Sequence, residues 1–381
     1  MHNESIMKYN LLGKSGLRVS EICLGTMTFG EEWGWGSPKD ESRKVLDRFV
    51  DSGGNFVDTA SNYTTGTSEK YLGEFISGDR DRYVIATKYT SNIRAGDPNA
   101  GGNQRKNMMQ SLERSLRSLN TDYVDLYWIH AWDQMTPIEE TMRALDDMVR
   151  LGKVLYIGIS DAPAWVVSQA NTLANLRGWT EFIGIQIEYS LLERTSEREL
   201  LPMARSLDIG VTSWSPLGGG VLTGKYNTDG TNKPQQKKNI HSTNVEKASS
   251  NSRLEVVRQT GMSEMADIML TEHNLVVAEE VVNIAKEIGR SPAQVALNWV
   301  RQQNTSNKLT TKIIPIIGAR NTRHLDDNLA CLEFELSEEH IRRLNEVSKI
   351  ELGFPHDFLT SDFIRNIIYG GTYNSTHGHR K

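Results

Sequence analysis

The stretch Tyr123–Asp161, YVDLYWIHAWDQMTPIEETMRALDDMVRLGKVLYIGISD, reads as one complete strand–helix–strand unit. Tyr123–Ile129 is a nearly continuous apolar run, the pattern of a strand buried on both faces. Thr136–Leu151 follows it. This segment opens T-P-I-E, in the form of a capping box with proline at the first helical position, and it stops at Gly152. Val154–Ile159 is a second apolar run. Two buried strands joined by a helix of this length form a parallel βαβ unit.

The same unit recurs in both directions from there. Strands are predicted at Val19–Leu24, Asn55–Thr59 and Tyr83–Lys88 on one side, and at Phe182–Ile187, Gly210–Trp214 and Lys312–Ile317 on the other. With the first two they make eight. Helices are predicted at Lys39–Asp51, Thr67–Ile76, Asn103–Ser118, Pro163–Leu176, Ser196–Leu207, Glu272–Ile288 and Thr322–Leu332, with extras at Pro292–Gln303 and Ser337–Val347. Ser37-Pro38 offers a candidate N-cap and an N1 proline to the first of these. Eight such repeats fit an open doubly wound sheet or a closed barrel. No composition break marks a boundary midway, so the expected fold is α/β, a (β/α)8 TIM barrel with extra C-terminal helices. The expected organisation is a single domain over 1–369, with a flexible tail over 370–381. A long polar loop over 227–271, following strand seven, reads as a lid or disordered insertion on the active-site rim.

Composition removes several function classes. The 381 residues carry 43 Lys and Arg against 48 Asp and Glu, a formal charge of −5, and no basic stripe, which argues against a nucleic-acid partner. Two cysteines, Cys23 and Cys331, cannot make a disulfide framework and fit a reducing compartment. The N-terminal MHNESIMKYN has no apolar signal region, and no apolar run of about 18 residues occurs, so a cytoplasmic protein without a membrane partner is expected. A homo-oligomer is compatible with these figures.

The polar residues that end the strands carry the chemistry. Asp58 ends strand two, in FVDTASNY, and Tyr63 follows it. Lys88 closes strand three, in IATK, and His130 closes strand four, in YWIH. A desolvated ammonium at a strand end needs a partner, and Asp58 on the neighbouring strand is the natural one. Lys88 beside Tyr63 is expected to lower the phenol pKa below its usual value of about 10. With His130 to orient a substrate oxygen, this is a proton donor for a developing alkoxide. Each group alone has an ordinary structural reading as a cap, a core histidine or a loop aromatic. Four of them on three successive strand ends do not.

A second cluster reads as a phosphate site. Ile314–Arg320, IPIIGAR, ends strand eight and enters a helix, and Arg320 is placed to clamp a terminal phosphate. His324, Asp327 and Asn328 lie one and two turns on. Gly219–Tyr226, GGVLTGKY, nearly spells a P-loop, but Tyr226 stands where Ser or Thr must ligate magnesium, so a nucleoside triphosphatase is rejected. No G-x-G-x-x-G follows the first strand, so a dinucleotide would bind without a Rossmann fold.

Taken together these motifs resemble the aldo-keto reductase superfamily. FVDTASNY, IATK and YWIH are similar to its catalytic tetrad. LGTM from Leu24, GISD from Gly158, IQIEYS around Gln186, WSPLGGGVLTGKY from Trp214 and PIIGARNTRHLDDNL near the end also match. The resemblance covers nearly the whole chain. Its nearest branch holds bacterial general aldo-keto reductases, aryl-alcohol dehydrogenases and potassium-channel β subunits, and the aryl-alcohol dehydrogenase type is the most similar.

The resemblance implies NADP(H) across the barrel mouth and an aldehyde or ketone substrate, aromatic ones included, with no metal. Trp214 would stack on the nicotinamide, where Tyr is more usual. Ser160, Asp161 and Gln186 would hold its carboxamide, with Asp161 standing where the family usually has Asn. Ser215, Pro216, Leu217, Gly218, Gly220 and Lys225 would line the pyrophosphate. Gly318, Arg320, His324, Asp327 and Asn328 would hold the adenosine and its 2′-phosphate, and Gly25, Thr26, Met27 and Asp58 also belong to the cofactor site. Trp33, Trp35, Tyr63, Tyr89, His130 and Trp132 are candidates for the substrate wall. The implied reaction is NADPH-dependent reduction to the alcohol with Tyr63 as general acid. Three other classes compete. An NADP(H) sensor or channel-associated subunit would have weak catalysis. A glycosidase using Asp58 and Glu188 gives no reason for Lys88 beside Tyr63. A metal-dependent hydrolase would bring several histidines to the rim, where His130 stands alone.

Overall fold

The computed structural model describes residues 7–227, 268–306 and 312–376. Except at its ends, the insertion expected over 227–271 lies outside the described residues, as does the tail beyond Thr376. Eight parallel strands close into a barrel: β3 (Cys23–Gly25), β4 (Phe56–Asp58), β5 (Val84–Tyr89), β6 (Val124–Ile129), β7 (Val154–Ser160), β8 (Phe182–Glu188), β9 (Gly210–Trp214) and β10 (Ile313–Gly318), the last pairing back onto β3. Helices alternate with them, so the fold is the expected (β/α)8 TIM barrel.

The expected first strand, Val19–Leu24, is divided. Arg18–Ser20 (β2) pairs antiparallel with Tyr9–Leu11 (β1), and only Cys23–Gly25 enters the barrel. The hairpin is needed because a barrel open at its N-terminal end would leave apolar strand starts in water. Leu12 and Val19 instead pack with Phe56, Val84, Leu126 and Ile314.

Inside the barrel, Trp128 fills the layer beneath the site. Its ring lies so close to strands β7 and β8 that a Cβ at Gly158 would stand 2.3 Å from it, and one at Gly184 2.9 Å. Glycine at both positions is therefore a packing requirement. Outward-facing strand residues such as Ile85, Tyr127 and Ile157 meet the helices in a second apolar layer. The helix at Ile138–Arg150 (α4) shows the logic: Met142, Leu145 and Met148 recur at helical spacing and are all buried. Each such side chain contributes roughly 1.5–3 kcal/mol.

Two expected caps do not form. The N-cap of α4 is Pro137, without a side-chain bond, because the Thr136 hydroxyl donates to Asp133 at 2.6 Å. At Lys39–Asp51 (α1) the N-cap is Pro38, because the Ser37 hydroxyl donates to the carbonyl of Arg320 at 2.8 Å and so joins two rim loops. Two short helices, His356–Thr360 and Asp362–Tyr369, follow the last expected one. No helix among the described residues is long and apolar enough to cross a membrane.

Candidate active site

The parallel barrel brings every C-terminal strand end to one mouth. Asp58 is the last residue of β4, Lys88 the penultimate residue of β5, and His130 directly follows β6. Alternation along the strands turns Asp58 and Lys88 inward. Tyr63 opens a 3-10 turn, Tyr63–Gly66, in which Thr64 and Thr65 take positive φ angles of 44° and 54°. The Thr64 hydroxyl donates to the Phe29 carbonyl at 2.6 Å, which pins this turn against the loop after β3.

Lys88 is wholly buried, and each of its three N–H groups has a partner. It pairs with Asp58, donates to the Thr59 carbonyl at 2.8 Å and donates to the Tyr63 hydroxyl oxygen at 3.1 Å. Asp58 is also engaged from the other side, because Gln186 Nε2 donates to its Oδ1 at 3.0 Å. The Tyr63 ring stands edge-on between His130 and Trp33, at centroid distances of 5.8 and 6.3 Å.

The electrostatics correct one expectation. Tyr63 is not more acidic than a free phenol: burial deep in the concave mouth raises its pKa, and the opposing pull of Lys88 does not cancel that effect. Burial also works against the Lys88 charge, but Asp58 and Tyr63 overcome it and its pKa ends above the usual value. His130 is pushed down to about 3, first by burial and then by Lys88, so it is a neutral imidazole at neutral pH.

These groups open onto a cavity of about 780 Å³. At one end it is walled by Trp33, Trp35, Asn62, Tyr63 and His130, with Asp58 at its floor. In the middle lie Ser160, Asp161, Gln186 and Trp214. The far end is formed by Ser215, Pro216, Leu217, Gly220 and Lys225 from the loop after β9, and by Gly318, Arg320, His324, Asp327 and Asn328 after β10. Gly25 and Met27 line it from β3. The barrel thus gathers most of the residues singled out in the sequence into one continuous space.

Five do not line it. Lys88 lies beneath Tyr63. Thr26 is fully buried, with its hydroxyl on Ser68 and the Asp58 carbonyl. Gly218 packs on Leu192. Tyr89, one step beyond Lys88 on the strand, points outward by the same alternation and stacks on Tyr127 at 5.1 Å. Trp132 packs against the outer apolar layer. Conversely, Thr28, Asn62, Gly219, Thr223 and Ala293 line the cavity without having been singled out. Asn62 adjoins Tyr63 in sequence, which was the one available signal. Its Oδ1 and the Nδ1 of His130 are buried with no hydrogen-bond partner among the described residues.

Asp161 sits at the mouth with φ of 43°, in the left-handed region that Asp and Asn tolerate best. Its Oδ1 accepts the Trp214 indole N–H at 3.0 Å. Burial by the cavity walls raises its pKa, against the Trp214 and Ser160 hydrogen bonds and the charge of Lys88. At the far end the His324 pKa is lowered by burial and by Arg320 and Arg323, the signature of clustered cations. Asp327 is already held by Ser291 at 3.0 Å and Gln294 at 2.8 Å. No group of three or more His, Cys, Asp or Glu arranged to hold a metal occurs among the described residues.

Chemically, this arrangement couples a buried cation, a protonated phenol and a neutral imidazole to a long cleft whose other end is cationic. A family model described as "Aldo/keto reductase family" matches residues 21–349. The norsolorinic acid reductase stcV of Emericella nidulans is 36% identical over 355 residues, 91% of this chain and 82% of that protein. The aryl-alcohol dehydrogenase [NADP(+)] of Phanerodontia chrysosporium is 34% identical over 369 residues, 93% of this chain and 89% of that protein. The putative aryl-alcohol dehydrogenase AAD14 of Saccharomyces cerevisiae is 34% identical over 360 residues, 91% and 88% of the two chains.

Proposed function

The chain belongs to the aldo/keto reductase family and is an oxidoreductase acting on carbonyl and alcohol groups, and from that premise we propose that it reduces an aldehyde or ketone with NADPH, using Tyr63 as the acid. The observation that carries this reading is the 3.1 Å contact between Lys88 Nζ and the Tyr63 hydroxyl oxygen, beside His130 and at the floor of the cavity.

The residues suit a nicotinamide dinucleotide phosphate. The cavity runs unbroken from Tyr63 to Arg320. Gly220, at φ of 93°, curls the loop so that a Cβ there would stand 3.1 Å from Lys225 Nζ, and a backbone this close to a cation suits a pyrophosphate. Lys225, Arg320 and the partly cationic surroundings of His324 suit a further phosphate at the far end. When bound, the cofactor supplies the hydride.

The protein's own groups supply the rest. Lys88 donates to the Tyr63 oxygen, which leaves the phenol proton free to point into the cavity. The raised pKa keeps that proton in place at neutral pH, so Tyr63 is a loaded acid. As it leaves, charge develops on an oxygen beside an ammonium whose orientation Asp58 and Thr59 already fix. Neutral His130 keeps one ring N–H with which to orient the substrate oxygen. Trp33 and Trp35, with ring centroids 5.7 Å apart, and Tyr63 form an aromatic wall suited to a flat aromatic carbonyl, in keeping with the names of the relatives.

The test is stopped-flow mixing of the NADPH-loaded protein with a panel of aromatic and aliphatic aldehydes and ketones. Loss of dihydropyridine absorbance matched by alcohol formation is the expected result. No oxidation with any carbonyl overturns the reading in favour of a binding protein.

A further inference from the structure

We propose that Asp161 makes the site favour the oxidised, positively charged nicotinamide over the reduced, neutral one, and so draws the bound reaction toward alcohol. This rests on the NADPH reading above.

Asp161 lines the middle of the same cavity, with Gln186 and Trp214, next to the end that holds Tyr63. The other carboxylate there, Asp58, is neutralised by Lys88. Asp161 makes no ion pair among the described residues. Its side-chain partners, the Trp214 indole N–H at 3.0 Å and Ser160, are neutral donors that orient the carboxylate without cancelling its charge. The backbone is fixed as well. The Asp161 amide donates to the Gln186 carbonyl at 3.2 Å, and its own carbonyl accepts from the Trp132 amide at 3.3 Å.

The position is therefore a directed negative charge. The Asn that the family resemblance leads one to expect at 161 has the same shape, no charge and an NH₂ donor in place of one carboxylate oxygen, so the difference is one of charge and hydrogen bonding and not of size. A nicotinamide ring gains one positive charge when it gives up its hydride. A carboxylate near that ring stabilises the oxidised form by Coulomb attraction and leaves the neutral form nearly untouched. Seating the cofactor over this cavity-lining side chain removes the remaining water and strengthens the effect. The balance is complete: the hydride passes from the dihydropyridine to the carbonyl carbon and the Tyr63 proton passes to its oxygen. The cofactor is oxidised and the carbonyl reduced, and no other reactant takes part.

The experiment is equilibrium binding of NADP⁺ and NADPH, by calorimetry, to the wild-type protein and to Asp161→Asn. The variant keeps an oxygen for the Trp214 N–H, so it tests charge rather than packing. The NADP⁺ Kd is expected to rise about tenfold while the NADPH Kd changes less than about threefold. Equal changes for the two forms overturn this inference and leave the NADPH reading standing. A wild-type protein that binds neither nucleotide overturns both.

Discussion

Lys88 Nζ stands 3.1 Å from the hydroxyl oxygen of Tyr63, although Lys88 is the penultimate residue of one barrel strand and Tyr63 lies in the loop after its neighbour. Both are held at this point by neighbouring groups. Asp58 and the Thr59 carbonyl take the other two ammonium protons, and the Thr64 hydroxyl anchors the turn that Tyr63 opens. The cation is preorganised before any substrate arrives.

Removing the cation exposes what it compensates. Lys88→Met leaves the Asp58 carboxylate buried without its ion partner, a change that costs about 3–5 kcal/mol. Urea denaturation is expected to show a loss of that order, and Asp58→Asn in the same chain is expected to restore part of it. A Lys88→Met protein as stable as the wild type would show that the pair is not buried as described.

His130 gives a stability signature with a definite sign. Its folded pKa of about 3 lies below the ordinary histidine value of 6.5, so the unfolded chain binds the extra proton first as the pH falls. The contribution is fully present above about pH 6.5 and is lost toward pH 3, at about 1.4 kcal/mol for each pH unit descended. His130→Gln should flatten that part of the denaturation profile. Turnover of the wild type should show no inflection from His130 between about pH 5 and 8. A His130 proton titrating near 6.5 in the NMR spectrum would refute the buried neutral imidazole.

Arg320 lines the far end of the cavity, close to His324 and Lys225. Arg320→Ala is expected to weaken NADPH about tenfold or more, the cost of a lost charge-assisted hydrogen bond, and to change NADH by less than about threefold. Equal losses would mean that Arg320 does not read the extra phosphate.

Much of this was legible because buried strands are short and apolar, and because their ends carry unusual polar groups. Gly210–Trp214, Lys39–Asp51, Thr67–Ile76 and Glu272–Ile288 have the bounds that periodicity gives them. The division of Val19–Leu24 was hidden, because Val19 and Leu24 are equally buried but in different places, one under the barrel and one in its outer layer. Thr136 and Ser37 look like caps in sequence and are claimed by Asp133 and Arg320 in space. Tyr89 and Trp132 are aromatic and near the rim in sequence, yet strand alternation and packing turn them away. The acidity of Tyr63 differs from the expectation for a similar reason: a neighbouring cation can be read from spacing, whereas the burial that outweighs it belongs to the closed barrel.

Single-turnover oxidation of bound NADPH by an aromatic aldehyde, compared between the wild type and Tyr63→Phe, decides whether the phenol is the acid. The variant keeps the ring against Trp33 and His130 and loses only the proton. It should bind NADPH as the wild type does and react about 10²–10⁴-fold more slowly, the usual worth of a positioned proton donor. A Tyr63→Phe protein that consumes NADPH at the wild-type rate would contradict the role given to Tyr63 and Lys88.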